Sequence, residues 1–330
     1  MKKLFLLFIL AIIVSFACTE EDTAAGDRGN TNSNAILIKN NMIDMVSEDA
    51  SLKVKDAAMR LEMPALRGGA SNMFVVHTAP GYGINYAMEY SLPLKASRWS
   101  AYRTYKGFSC NENHWNRNYW KDGYWENDTK KTAYWDGQYW GAAPFQQDKL
   151  IPQQYRTTLA DHQSNGHDRG HVIGSADRLN SMETNGQTFY LSNMHPQLDG
   201  FNQGGIWYNL ENKIRNAWDK DNFRDTLYIV KGGVIDRDVT YAQGRGSNRL
   251  IVPGNFFMAL LCKNSSPSQW GYKAIGFWMK HEENERKDYR SFAVSIDELE
   301  RLTGIDFFCN LPDGIEEVVE RNMAPAAWGI

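Results

Sequence analysis

Short runs rich in aromatic and β-branched residues recur through most of this chain, and they restrict it to a fold built on sheet. M-F-V-V-H begins at Met73, and N-Y-A-M-E-Y-S-L (85–92) alternates apolar and polar residues at the period of a half-buried strand. K-A-S-R-W-S-A-Y-R-T-Y (95–105) reads as its antiparallel neighbour. T-F-Y-L-S-N (188–193) reads as a strand running into a loop, and L-Y-I-V-K-G-G (227–233) as a strand ending in glycines. L-I-V-P-G-N-F-F-M-A-L-L-C (250–262) and A-I-G-F-W-M (274–279) read as two more. Helical patterns are fewer. K-D-A-A-M-R-L-E (55–62) is broken by Pro64 and Gly68-Gly69. Over 205–218, Trp207, Leu210, Ile214 and Trp218 share one face. At 295–304, Ser295 stands as N-cap, Glu298 completes a capping box and Gly304 terminates. Strands with a few helices predict an α+β fold: central antiparallel sheets flanked by helices.

The chain has 330 residues and is 42% hydrophobic, enough for a substantial core. Negative mean hydropathy excludes a polytopic membrane protein. The formal net charge is −3, so any polyanion must meet a local basic patch rather than a global field. The N-terminus carries Lys2 and Lys3, an apolar run from Leu4 to Phe16, then Ala17-Cys18. That run has the length of a signal-peptide core and is short for a membrane span. A small residue before Cys18 suits lipoprotein processing, although Ser15 replaces the usual leucine of that motif. The acidic T-E-E-D after Cys18 is similar to surface-export signals. The expectation is a signal peptide over 1–17, lipidation at Cys18, and export to the bacterial outer membrane, facing the periplasm or the cell surface. Plain secretion is the alternative. Residues 18–70 would form a lipid-anchored flexible tether with one short helical segment. Cys110, Cys262 and Cys309 remain, an odd number that allows one disulfide without naming the pair.

Trp115, Trp120, Trp125, Trp135 and Trp140 fall on a five-residue grid, which fits neither helix nor strand. Y-W-K-D-G-Y-W and Y-W-D-G-Q-Y-W are nearly one motif twice, each with a turn-forming Asp-Gly. They read as two small hairpins. Such rings either pack on themselves or offer a stacking face to bases or sugars.

The densest chemistry lies at N-G-H-D-R-G-H-V-I-G-S-A-D-R (165–178). Hydrolysis of a phosphodiester needs a base for water, charge for the phosphoryl group, and help at the leaving oxygen. His171 suits the base and Arg169 the phosphate clamp. On extended backbone the two share a face, and Gly170 between them adds no bulk. Asn202 and Glu211 downstream offer oxygen to a hard cation. His167 and His171, with three residues between them, lack the helix and the glutamate of a zinc pair. His162, His167 and His195 read as loop residues near a substrate groove, and E-E-N-E-R-K-D (282–288) as an exposed loop.

In order, D-R-G-H (168–171), F-Y-L-S-N-M-H-P-Q (189–197), N-Q-G (202–204) and W-Y-N-L-E (207–211) resemble the DNA/RNA non-specific endonucleases of the ββα-metal group. N-Y-A-M-E-Y and R-W-S-A-Y are similar to that family's first strand pair, and the resemblance spans roughly 84–320. It implies a ββα-metal active-site core within a nuclease domain over 71–330, with the aromatic-rich insertion at about 111–141. It also implies one Mg²⁺ per site, with Mn²⁺ or Ca²⁺ able to substitute, cleavage of DNA and RNA, and 5′-phosphate ends. Position by position, His171 matches the general base, Asn202 the metal ligand and Glu211 the carboxylate that holds the metal through water. Arg169 matches the phosphate-binding arginine, and Asn193 the second asparagine near the metal waters. Asp168 has an orienting role, and Gln197 and Arg215 are assigned to substrate.

Two departures stand out. N-Q-G-G-I-W carries one glycine more than usual between Asn202 and the helix. Y-W-G-A-A-P-F-Q-Q-D (139–148) lacks the family's upstream arginine, leaving Arg156, Arg117 or Arg103 to replace it. The competing expectation is a non-catalytic surface lipoprotein that binds nucleic acid or glycan through its Tyr-Trp hairpins. No protein partner is expected, and the membrane is met only through Cys18.

Overall fold

The computed structural model describes residues 30, 32–35, 44–47, 54–120, 144–266, 271–283 and 288–330. Cys18 and the two Tyr-Trp units at 119–125 and 134–140 lie wholly or largely outside these residues.

The strands are β1 (Asp44–Ser47), β2 (Asn72–Ala79), β3 (Gly83–Ser91), β4 (Ala96–Tyr105), β5 (Asp168–His171), β6 (Met194–Gln197), β7 (Thr226–Gly233), β8 (Val239–Gln243), β9 (Arg249–Pro253), β10 (Asn255–Asn264), β11 (Gly271–Lys280) and β12 (Ala293–Val294). Eight of them form one sheet in the order β1-β2-β3-β4-β7-β10-β11-β12. The pairing is antiparallel throughout except at the edge, where β1 runs parallel to β2. The α+β fold is as expected from the strand pattern. The sheets are one large sheet and two separate two-stranded ribbons, β5–β6 and β8–β9.

Side chains alternate across β7. Tyr228 and Val230 join one core cluster, while Leu227 and Ile229 join another on the opposite face. The first face is covered by the helices Ile296–Thr303 and Asp313–Arg321 through Leu299 and Val319. The second is covered by the helix Ile206–Lys213 and its π-helical continuation Ile214–Trp218. Trp207, Leu210, Ile214 and Trp218 are all buried there, as their helical spacing predicts. Each such side chain contributes about 1.5–3 kcal/mol on leaving water.

Covering both faces explains several differences from the sequence reading. Strand β3 is buried from Asn85 to Ser91 rather than half-buried, and its polar residues are bonded inside: Asn85 Nδ2 donates to the Gln187 side chain, and Glu89 accepts from Arg67 N. The run 250–262 is split at Gly254, whose N–H bonds Asp238 O, into β9 and β10. Residues 188–193 form no strand. They turn through a 3₁₀ segment, Leu191–Asn193, and β6 follows. Ser295 caps Glu298 N, and Gly304 ends that helix in the left-handed region.

Part of the expected tether packs on the body. Asn30 Nδ2 donates to Cys309 O and Leu311 O, and Asn34 Nδ2 to Ala58 O and Pro64 O. Ala57, Ala58, Met63 and Leu66 belong to the main core. The helix predicted at 55–62 is Val54–Ala58. Cys110, Cys262 and Cys309 are buried free thiols, so no disulfide joins them. Among the described residues no helix is long and apolar enough to cross a membrane.

Candidate active site

The D-R-G-H stretch is strand β5, paired antiparallel with β6 so that Asp168 faces Gln197 and His171 faces Met194. This ribbon is fastened to the large sheet by His195, whose ring Nε2 meets Ser97 O on β4 at 3.0 Å. The helix Ile206–Lys213 then closes over the ribbon, where Trp207 Nε1 donates to His171 O at 3.2 Å. Two short strands and a helix thus surround the histidine, the arrangement expected of a ββα core.

Gly170 is required here by packing. A Cβ on it would lie 2.2 Å from Gln197 Cδ. That contact also corrects the role expected for Gln197. It is fully buried beneath the ribbon with neither amide atom hydrogen-bonded, and it does not reach a substrate surface. Asn193 is corrected in the same sense. Its Oδ1 accepts from Ile173 N, and its Nδ2 donates to Ile173 O and Thr188 O, so the side chain splints the turn before β6. His162 and His195 are buried as well, not loop residues at a groove.

His171 is half-buried between Phe189, edge-on at 5.1 Å, and Phe145 at 6.2 Å. Its Nε2 is sealed from solvent without a hydrogen-bond partner. Burial pushes this imidazole down to about 3. Asp177 pulls the other way, and Arg117, Arg169 and Lys231 add to the drop. The ring is therefore neutral near pH 7. Arg169 stacks its guanidinium over Phe145 at 4.5 Å.

Asp168 Oδ2 accepts from Asn202 Nδ2 at 3.0 Å and from Gln203 Nε2 at 2.9 Å. This orients the Asn202 amide: its nitrogen is taken, and its Oδ1 has no protein partner among the described residues. The extra glycine is absorbed between the helix Asp199–Asn202 and Ile206. Glu211 lies against Gly174, where an added Cβ would come within 2.9 Å of Oε1. Lys231 Nζ donates to Glu211 Oε1 at 3.1 Å and to Asp177 Oδ2 at 2.8 Å. Arg215 Nη1 donates to Asp177 Oδ1 at 2.6 Å and lies 3.8 Å from Glu211 Oε2. Arg215, expected at substrate, thus spends its guanidinium on this cluster. Tyr102 donates its hydroxyl to Asp177 as well.

Two carboxylates and two cations therefore balance beside the histidine. Burial works against Asp177, but Lys231 and Arg215 hold it well below the usual carboxylate range. Burial pushes Glu211 up, against Lys231, so Glu211 is the weaker acid of the two. Sequence reasoning missed Asp177, Lys231 and Tyr102. The available signal was the lysine inside the apolar run Y-I-V-K-G-G, since a lysine so placed is buried only when paired.

The donor set fits a hard cation. A free amide oxygen at Asn202 and a charge-balanced carboxylate at Glu211 are oxygen donors, which suit a hard cation rather than a soft one, and burial and Asp177 keep the Cys110 thiol protonated. Of the three arginines that could replace the missing one, Arg117 acts on His171 electrostatically. Arg156 is bound to Ile151 O and Lys149 O, and Arg103 sits over Tyr105 near Glu62.

Comparison with known proteins agrees with this geometry. A nuclease from Nostoc sp. is 30% identical over 211 residues, 59% of this chain and 73% of that protein. The mitochondrial nuclease of Saccharomyces cerevisiae is 33% identical over 179 residues, 51% of this chain and 54% of its own length. Human mitochondrial endonuclease G is 28% identical, with 51% and 57% covered. Several of these matches thus span only about half of the relative. Among solved structures, EndoG in its complex with the inhibitor EndoGI superposes with a TM-score of 0.54 at 21% identity, covering 68% of this chain and 84% of that one. The sequence profile of the DNA/RNA non-specific endonucleases, metal-dependent enzymes, matches residues 75–314, and the chain belongs to that family.

Proposed function

We propose that the chain is a Mg²⁺-dependent endonuclease that hydrolyses DNA and RNA with His171 as general base and leaves 5′-phosphate ends. The observation that carries this is the ribbon itself: His171 and Asp168 share strand β5, the His171 Nε2 is sealed from solvent, and Asp168 holds the Asn202 amide by its nitrogen. Water attacks phosphorus in line, and His171 Nδ1 takes its proton. The P–O3′ bond breaks, and the 3′ oxygen takes a proton from solvent. Arg169, with Arg117 in the place of the missing arginine, meets the phosphoryl charge. Asp168 holds the Asn202 amide in position. Asn202, and Glu211 through water, would hold Mg²⁺, which supplies positive charge at the phosphate and leaving oxygen. The N-terminal sequence supports export with lipidation at Cys18.

The test incubates the purified protein with plasmid and with RNA, in Mg²⁺ or EDTA, beside His171→Ala. Cleavage should vanish in EDTA and fall about 10²–10⁴-fold in the variant, with unchanged thermal unfolding. Ends should accept ligation without prior phosphorylation. EDTA-resistant cleavage, or a fully active His171→Ala, would overturn the mechanism.

A further inference from the structure

Far from the β5–β6 ribbon, the helices Ile296–Thr303 and Asp313–Arg321 meet along an acidic seam. One carboxylate oxygen each from Asp297, Glu300 and Glu320 lies within 4.8 Å of the others. Glu320 is 7% exposed, and its Oε1 is buried without a hydrogen-bond partner. It lines a cavity of about 310 Å³ together with Asp297, Glu316 and Asn32. Asn32 adds a second orphan oxygen. Its Nδ2 donates to Asp306 and Glu316, both at 3.0 Å, while its Oδ1 is buried and unbonded. Glu300 is steadied by Phe307 N, which donates to its Oε1 at 2.7 Å. The basic side chain lining the cavity, Arg321, is bound to Glu317.

A buried carboxylate oxygen without a donor costs free energy unless a cation or a proton meets it. The donor set selects between cations. Ca²⁺ takes about six to eight oxygens, carboxylates and amide carbonyls among them, in a flexible geometry, whereas Mg²⁺ demands a near-ideal octahedron and keeps several waters, so three carboxylates and an amide oxygen from separate segments suit Ca²⁺. We propose that Asp297, Glu300 and Glu320, with the Asn32 amide oxygen beside them, form a structural Ca²⁺ site, separate from the active site, that ties the two C-terminal helices to the segment around Asn32. The ion completes the charge of the seam and takes no part in hydrolysis.

The experiment titrates the full metal-free chain with CaCl₂ by calorimetry and follows thermal unfolding. The proteins compared are wild type, Asn202→Ala, and Asn202→Ala carrying Asp297→Asn or Glu320→Gln. Asp297 is exposed, so its variant should fold even if the one at Glu320 does not. Ca²⁺ should raise the unfolding midpoint of wild type and of Asn202→Ala alike. Placed on the Asn202→Ala chain, so that no ion held at the active site contributes, Asp297→Asn and Glu320→Gln should weaken the affinity at least about tenfold and abolish the rise. An equal Ca²⁺ response in Asn202→Ala with and without Asp297→Asn, or a response lost in Asn202→Ala, would overturn the site. No Ca²⁺ response in wild type would show that Glu320 is simply a neutral acid, and would overturn it too.

Discussion

On one side of the large sheet, Asp177 and Glu211 face Lys231 and Arg215; on the other, Asp297, Glu300 and Glu320 face one another. The first group carries its countercharge on strand β7 and the 206–218 helix, so it is balanced in any buffer. In the second, burial pushes Glu300 up to about 8, against the Phe307 N–H and with neighbouring acids adding, and burial followed by neighbouring acids pushes Glu320 up to about 10. The contrast separates two uses of buried carboxylate. On the proposed mechanism the first site must place one imidazole and one amide oxygen, and charges fixed by the chain itself serve that. A seam between helices can instead borrow its cation, and its stability then depends on the medium.

The strongest way to break this comparison is to make the first region resemble the second. Lys231→Met removes the cation shared by Asp177 and Glu211 and leaves both buried. Loss of one partner of a buried pair should cost about 3–5 kcal/mol, read by urea denaturation. A loss below about 1 kcal/mol would mean that Arg215 and Tyr102 balance the site without the lysine.

A smaller effect sharpens the contrast through pH. Burial lowers fully enclosed His162 to about 3 and His195 to about 4, from 6.5. The folded state then binds fewer protons than the unfolded one below pH 6.5. Stability from these rings is complete above that value and is lost as pH falls toward 4 and then 3. Each ring should remove about 1.4 kcal/mol per pH unit within that window. A thermal midpoint that stays level from pH 7 to pH 5 would contradict the burial of both.

The smallest change is Gly174→Ala. Its Cβ would press on Glu211 Oε1, which Lys231 holds in place. The expected cost is about 1–2 kcal/mol of stability. Slower cleavage should accompany it, since the carboxylate must swing from its position. Unchanged unfolding and activity would show that Glu211 moves freely.

The order of motifs along the chain, D-R-G-H, then S-N-M-H-P-Q, N-Q-G and W-Y-N-L-E, was enough to find the ribbon, the helix and the family. Those residues lie close in sequence, and local backbone geometry places them. The period-two pattern also located most strands. Sequence periodicity could not say that both sheet faces are covered, because that depends on which helices return to them. Hence β3 read as half-buried, Gln197 as a substrate contact, His195 as a loop residue near the groove and Asn193 as a neighbour of the metal waters. Asn193, His195 and Gln197 point inward because the ribbon lies flat on the sheet, and only the docked ribbon reveals which side is out.

The sequence by itself determined the chemistry on offer: a histidine, an arginine and oxygen donors spaced for phosphodiester hydrolysis. Only the tertiary structure decided how that chemistry is held. Lys231 meets Asp177 across 54 positions and Glu211 across 20. Asn32 meets Glu316 across 284. Charge balance in a low-dielectric interior depends on distance in space, and residues so far apart in the chain carry no pattern that announces the pairing.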